Sequence, residues 1–146
     1  MMGKRWTGML AGLVVASALG TGAAAAAGTE SLRLALGKQD FETYCASCHG
    51  ESAAGDGPVA EFLALEAADL TGLARKYGGK FPVEQVERVI DGRDVVKVHG
   101  PRDMPVWGDW FDSEAQQPGL RPEEREMVVR ERIAAITSYL ETLQKK

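Results

Sequence analysis

The spacing of apolar residues along the chain predicts helices, and no stretch shows the alternation typical of strands. Leu32, Leu36 and Phe41 share one side of a helix predicted over Ser31 to Tyr44. Towards the other end, apolar residues recur at alternating intervals of four and three, which makes a single helical stripe. The members of this stripe are Val129, Ile133, Ile136, Leu140 and Leu143. The pattern therefore predicts an all-helical domain.

Turn-forming residues divide the chain between these two helices. Gly50 to Pro58 reads as a turn-rich loop, and short helices are predicted over Val59 to Leu65 and from Leu73 onward. A clearer helix begins with Pro82 at its first position and ends at Gly92. Its predicted apolar face consists of Val83, Val86, Val89 and Ile90.

The stretch from Arg93 to Pro118 lacks steady periodicity and contains several Gly and Pro residues, which predicts a long loop. Long loops in compact domains usually serve a site. Arg121-Pro122-Glu123-Glu124 then opens the last helix, with acidic residues in the first turn, where they suit the helix dipole.

The first 27 residues have the three parts of an export signal. Lys4 and Arg5 give a basic start, Met9 to Leu19 an apolar stretch, and Ala23 to Ala27 a small-residue cleavage region. An uncleaved membrane anchor is the alternative, because the segment is long enough to cross a bilayer, although glycines dilute its hydrophobicity. Either way the rest of the chain is expected on the far side of the membrane, in the periplasm.

Residues 28–146 are expected to form one small domain. The whole chain has 21 acidic against 17 basic residues, a net charge of −4, and loss of Lys4 and Arg5 makes the domain more acidic. This balance argues against a nucleic-acid partner and favours docking on basic or mixed protein surfaces. Contact with a membrane is expected only if the N-terminal segment stays uncleaved.

Cys45-Ala46-Ser47-Cys48-His49 matches C-x-x-C-H, the attachment site for haem c. Two thiols at this spacing form thioether bonds to the two vinyl groups along one edge of a porphyrin, and the following imidazole then lies under the iron. The motif predicts one covalent haem c, held through Cys45 and Cys48, with His49 as an iron ligand.

Three other uses of these residues fit the sequence less well. A thioredoxin-type site needs a βαβ setting, and the flanking sequence has no strand-like pattern. A zinc site would combine Cys45, Cys48, His49 and His99, but Cys48 and His49 are adjacent and the second ligand pair typical of structural zinc is missing. A disulfide between Cys45 and Cys48 would close a loop too short to stabilise much.

The chain resembles class I mono-haem cytochromes c from about Leu34 to Leu143. The resemblance rests on Gly37-x-x-x-Phe41-x-x-x-Cys45-x-x-Cys48-His49-Gly50, on Ile136-Thr137-Ser138-Tyr139-Leu140, and on Met104-Pro105 between them. It implies a helical fold wrapped around one covalently bound haem. It also implies that Gly37 approaches the last helix at Tyr139, and that the Pro58 carbonyl accepts a hydrogen bond from His49 Nδ1.

Met104 is the predicted sixth ligand of the iron, because Met/His ligation is the cytochrome c arrangement and Pro105 holds Met104 extended. Met127 lies within the last helix, where methionine usually fills a core. His99, five residues before Met104, is the competitor and would give a bis-histidine haem. It also fits a hydrogen bond to a haem propionate, or plain exposure to solvent.

Basic and indole side chains near Met104 are candidates for binding the haem propionates. Arg93, Lys97 and Arg102 form a basic cluster in an acidic protein. Trp107 and Trp110 are able to donate indole N–H groups while covering the ring. Each of these residues also fits an ordinary place on the surface or in the core.

These features predict an electron carrier rather than an enzyme, because a six-coordinate iron leaves no open position for a substrate. The protein is expected to work as a soluble shuttle or as the cytochrome subunit of a redox complex. Its expected partners are a periplasmic dehydrogenase and a membrane oxidase or reductase. The alternative is a haem protein with an open or His-ligated iron that binds a small ligand or does redox chemistry.

Overall fold

The structure is a computed structural model that describes residues 21–93 and 104–145. Its α-helices are α1 (Thr21–Tyr44), α2 (Ala46–His49), α3 (Leu73–Lys76), α4 (Val83–Asp91), α5 (Trp107–Glu114) and α6 (Pro122–Thr142). Short 3-10 helices cover Ala60–Phe62 and Leu70–Gly72. These two described ranges contain no strand, and the all-helical prediction is confirmed. Within them no helix has the length and apolar character needed to cross a membrane.

Helices α1 and α6 cross at Gly37. A Cβ atom at Gly37 would lie 2.0 Å from the carbonyl oxygen of Ala135, so the backbones approach too closely for any other residue. One turn further along α1, the ring centroids of Phe41 and Tyr139 are 5.6 Å apart. The predicted approach of Gly37 to the last helix is therefore confirmed. The contact is with Ala135, however, and Tyr139 packs against Phe41 instead.

The apolar stripe of α6 forms much of the core. Its buried members are Val129, Ile133, Ile136 and Leu140, and Leu143 is half-buried. The helix begins at Pro122, and the carboxylate of Glu124 accepts a hydrogen bond from the backbone N–H of Arg121 at 2.8 Å. Both the predicted stripe and the predicted start of this helix are right.

Helix α4 begins one residue later than predicted, ends at the predicted glycine, and has only half of the predicted buried face. Pro82 precedes its first residue, and Gly92 ends it in the left-handed region with φ 71°. Val86 and Ile90 are buried, whereas Val83 and Val89 are each 40% exposed. The core covers only part of this face, and Val89 lines the cleft described below.

Helix α5 contradicts the predicted long loop from Arg93 to Pro118. It is short, and its stability comes from packing: Phe111 is fully buried, and its ring stacks on that of Trp107 at 6.0 Å. A helix of two turns contains too few apolar repeats to reveal its periodicity, especially in a stretch that also contains Gly and Pro.

Two other predicted boundaries differ from the structure. Helix α1 already includes residues 21–30, which precede the predicted start at Ser31. Residues 25–30 are exposed, so alanine propensity rather than packing accounts for them. The predicted helix over Val59 to Leu65 is only the 3-10 turn Ala60–Phe62. Helix α3 does begin at Leu73, as predicted.

Candidate haem site

The motif cysteines lie at the junction of α1 and α2. The backbone N–H of Cys45 donates to the Phe41 carbonyl at 2.9 Å, so Cys45 continues the helical path of α1, and Ala46–His49 adds one more turn. Cys45 is 8% exposed and Cys48 is half-buried. This turn brings both sulfur-bearing side chains and His49 to the same cavity.

The loop after the motif is held by hydrogen bonds to the motif's own carbonyl groups. The backbone N–H groups of Gly55, Gly57 and Val59 donate to the carbonyls of His49 (2.8 Å), Cys48 (3.1 Å) and Ser47 (3.0 Å). A Cβ at Gly57 would lie 2.4 Å from the Ser47 carbonyl oxygen, so this loop lies directly against the motif turn. The sequence predicted a turn-rich loop here, and these backbone hydrogen bonds show how the loop is held against the motif turn.

His49 Nδ1 lies 3.0 Å from the carbonyl oxygen of Ala68. A carbonyl only accepts hydrogen bonds, so Nδ1 is the protonated nitrogen and Nε2 of the neutral ring carries the lone pair. The prediction that the Pro58 carbonyl would fill this role is wrong. Pro58 is exposed, and the Leu70 N–H donates to the Ala53 carbonyl at 2.8 Å, which brings the segment containing Ala68 close to the motif instead.

Two adjoining cavities, of about 380 and 220 Å³, form one cleft beside the motif. The residues that line both cavities are Cys45, His49, Ala68, Val89 and Met104. Apolar side chains such as Leu63, Leu70 and Ile136 supply much of the remaining wall. The cleft therefore combines two thiols, an imidazole and a thioether in an apolar surrounding.

The structure brings Met104 and Trp107 to this cleft together with the motif. Met104 is half-buried and packs against the hydrophobic core, and Trp107 lies at the start of α5. Met127 is 57% exposed and lines a separate hollow of about 410 Å³ whose wall is mostly charged, on the α4 and α6 surface. The larger hollow contains no motif residue, so we assign the site to the cleft.

Two candidates for propionate binding are engaged elsewhere. The indole N–H of Trp110 donates to Glu114 at 2.8 Å. The Arg93 guanidinium donates to Asp91 and to Glu126, at 2.6 and 2.7 Å. Because these groups already have partners, the structure does not support them as propionate ligands. Lys97, His99 and Arg102 lie outside the described residues.

The environment of Cys45 differs from that of a reactive thiol. Burial raises the pKa of the Cys45 thiol to about 12, and the nearby Asp40 and Cys48 add to the rise. The nucleophilic cysteine of a thioredoxin-type site has a lowered pKa, so this site has the opposite character. In the described part of the chain, no three Cys, His, Asp or Glu side chains form a cluster able to hold a metal ion.

Sequence analysis missed Arg132 on α6, which links three helices next to the motif. Its guanidinium donates to Asp40 on α1 at 2.9 Å and to Glu114 on α5 at 2.8 Å, and it lies 4.0 Å above the ring of Phe111. The carboxylate of Glu114 also accepts from the hydroxyl of Tyr44, the residue before Cys45. No local spacing could have indicated these contacts, because the partners are far apart in sequence.

The comparisons with known proteins agree with this geometry. A family model described as Cytochrome c matches residues 34–144. The chain belongs to the cytochrome c family. Family membership means that haem c is the cofactor class and haem-based electron transfer the general function. Neither the curated proteins nor the solved structures gave a match.

The residues of the cleft fit a haem c of this family. Together the two cavities have the size of a cofactor pocket, roughly 300–1,000 Å³, and their lining is mainly apolar. The two thiols have the C-x-x-C spacing, and His49 presents one nitrogen with a lone pair while the other is tied to Ala68. A thioether from Met104 completes a set of donors suited to iron.

Proposed function

We propose that this cytochrome c family member is a periplasmic carrier of single electrons with one haem c bound through Cys45 and Cys48 and ligated by His49 and Met104. The observation that carries the proposal is the cleft, where the motif side chains and Met104 line the same space. Haem c, when bound, takes up and releases one electron. If His49 and Met104 both held the haem iron, no coordination position would stay open for a substrate.

The chain's own residues would hold and orient this group. The Ala68 carbonyl fixes the His49 ring and makes it a stronger donor, since a hydrogen bond to one nitrogen raises the basicity of the other. Trp107 contributes a ring to the cleft wall, in contact with Tyr44 and Phe111. Arg102 remains our candidate for a propionate partner on the strength of its charge alone.

The location and partners belong to the same proposal. An export signal over residues 1–27 would carry the domain of residues 28–146 into the periplasm, and the mature protein would exchange electrons with a periplasmic dehydrogenase and a membrane oxidase or reductase. The acidic balance of the chain, 21 acidic against 17 basic residues, favours basic docking surfaces on these partners. Both the soluble shuttle and the subunit of a redox complex are compatible with this charge.

The first experiment measures the mass of the protein purified from the periplasmic fraction. We expect the mass of a chain that begins near residue 28 plus one haem, and the haem should stay with the protein during acid–acetone extraction. A matched variant with Cys45→Ala and Cys48→Ala should carry no covalent haem. Free haem in the organic phase from the parent protein would contradict the proposal.

The second experiment tests the sulfur ligand by comparing Met104→Ala with Met127→Ala. Only Met104→Ala should lose the sulfur-to-iron charge-transfer band of the ferric protein, because Met127 lies outside the cleft.

Met104→His should lower the reduction potential, since a thioether favours ferrous iron more than an imidazole does. His99→Ala should leave the band in place. A parent protein without this band, whose spectrum changes in His99→Ala but not in Met104→Ala, would make His99 the ligand. Carbon monoxide binding by the unmodified reduced protein would favour ligand binding over electron transfer.

A further inference from the structure

The side chain of Gln144, just after α6, is bonded on three sides. Its Oε1 accepts from the Ala74 N–H at 2.8 Å, and its Nε2 donates to the carbonyls of Leu70 and Leu140, both at 2.9 Å. One acceptor and both N–H donors of the amide are thereby used. The reverse orientation of the amide would place like groups together, so these contacts fix the side chain.

The segment that Gln144 contacts is also held from its other side. The backbone N–H of Leu70 donates to the Ala53 carbonyl at 2.8 Å, and Ala53 is fully buried with a φ of 62°. The backbone N–H of Lys145 donates to the Thr71 carbonyl at 2.8 Å. Leu70 is therefore anchored at its amide by the loop after the motif and at its carbonyl by Gln144.

This anchored segment supplies the carbonyl that orients His49. Ala68 lies two residues before Leu70, and the chain turns at once into the 3-10 helix Leu70–Gly72, where the Asp69 side chain accepts from the Thr71 N–H at 2.8 Å. With such a tight turn, a shift of Leu70 displaces Ala68 as well. The 3.0 Å distance from the Ala68 carbonyl to His49 Nδ1 thus depends on how firmly Leu70 is held.

We propose that Gln144 is a positioning residue for His49, acting through Leu70 and the Ala68 carbonyl. The inference rests on the proposed function, which makes His49 an iron ligand. A firm bond from Nδ1 to a carbonyl strengthens the imidazole as a donor and stabilises the ferric state. Loosening that bond is therefore expected to raise the reduction potential.

The test compares Gln144→Met with Gln116→Met in the haem-loaded protein. Methionine has nearly the length of glutamine without its amide, and Gln116 is an exposed glutamine elsewhere in the chain. Nuclear magnetic resonance of the reduced protein measures exchange of the His49 Nδ1 proton with solvent. For Gln144→Met we expect this exchange to accelerate at least about tenfold, together with a higher reduction potential. Gln116→Met should match the parent in both.

Gln144→Glu adds a readout that a purely structural role would not give. Its carboxylate keeps an acceptor for the Ala74 N–H but places a negative oxygen against the Leu70 and Leu140 carbonyls. Once protonated, the carboxyl group is able to donate to one of them. The ratio of variant to parent exchange rates should therefore be high at neutral pH and fall as the pH is lowered through the pKa of the introduced carboxyl.

The outcomes separate this inference from the proposed function. If the parent carries no covalent haem, the proposed function falls and the inference falls with it. If the haem is present but Gln144→Met keeps the parent's exchange rate and potential, only the inference is overturned. Should Gln144→Met fail to fold, Gln144→Glu decides between the outcomes. A ratio of variant to parent exchange rates that falls towards one in acid supports the inference. A ratio that does not depend on pH overturns it.

Discussion

Two walls of the cleft are held together by different means. The helical wall consists of α1, α5 and α6, which are joined by close packing: the backbone of Gly37 lies against that of Ala135, and the ring of Phe41 packs against Tyr139. The turn wall consists of residues 50–82, where short turns are joined largely by backbone hydrogen bonds, such as those from Gly57 to Cys48 and from Leu70 to Ala53. Both walls contribute residues to the same cavities.

This difference suggests that the two walls have different roles, one in stability and the other in the orientation of His49. Apolar burial is non-directional and supplies most of the favourable free energy of folding, so the helical wall should dominate stability. Hydrogen bonds depend strongly on angle and distance, so the turn wall should decide how His49 is oriented. The following substitutions test these roles, from the largest expected effect to the smallest.

Removing the ring of Phe111 should be the most damaging change to the helical wall. Phe111 is fully buried, packs against Tyr44 and Trp107, and lies under the Arg132 guanidinium. Phe111→Ala should lower the free energy of unfolding by about 3–5 kcal/mol, measured by urea titration with circular dichroism. Trp110→Ala, on the same helix but 53% exposed, should cost about 1 kcal/mol or less. Equal losses for the two variants would mean that α5 does not pack as described.

A methyl group at the helix crossing should also destabilise the helical wall. The Cβ of Gly37→Ala would meet the backbone of Ala135 at 2.0 Å, and a backbone has little room to yield. We expect a loss of about 1–3 kcal/mol in spite of the better helix propensity of alanine. The haem spectrum should not change. Gly28→Ala, on the same helix with no atom within 4 Å of its Cβ, should not lower the melting temperature.

The same substitution in the turn wall should give a different result. The Cβ of Gly57→Ala would meet the Ser47 and Ala46 carbonyl oxygens at 2.4 and 2.6 Å, within the motif turn itself. A loop yields more easily than a helix crossing, so the loss of stability should lie near 1 kcal/mol. The displaced motif should, however, alter the haem absorption spectrum. A changed spectrum in Gly37→Ala and an unchanged one in Gly57→Ala would reverse the assignment of the two walls.

The smallest expected effect concerns Glu114, which connects α5 to α6. Its pKa lies below its usual value because Arg132 donates to it, with Trp110 and Tyr44 assisting and partial burial opposing. The ionised form is thus favoured by folding. Its stabilisation is present above the unfolded value near 4.5 and is lost as the pH falls through the lower, folded value.

Glu114→Gln should remove this dependence while keeping the shape of the side chain. Because Glu114 is partly exposed, water screens the ion pair, and the change should stay below about 1 kcal/mol. Urea titrations at neutral pH and below pH 4.5 should show that the parent loses more stability on acidification than Glu114→Gln. Coinciding pH profiles would mean that the pair with Arg132 contributes nothing.

Long, strongly patterned elements were predictable from the sequence, and short ones were not. The stripe of α6 repeats often enough to identify its buried face, and Gly92 marks the end of α4 correctly. Helix α5 has only eight residues, so Trp107 and Phe111 give a single repeat that looks like loop sequence. Local signals also left residues 21–30 out of α1, because an alanine-rich helix carries no apolar period.

The sequence by itself determined the chemistry of the site, because Cys45 and Cys48 carry the only thiols of the chain and His49 and Met104 supply an imidazole and a thioether. The tertiary structure alone decided which carbonyl orients His49. Every residue carries a carbonyl group, so nothing in the identity of Ala68 or Pro58 distinguishes one acceptor from the other. The choice depends on where the folded backbone passes, and the hydrogen bond from Leu70 to Ala53 brings Ala68 to within 3.0 Å of His49 Nδ1.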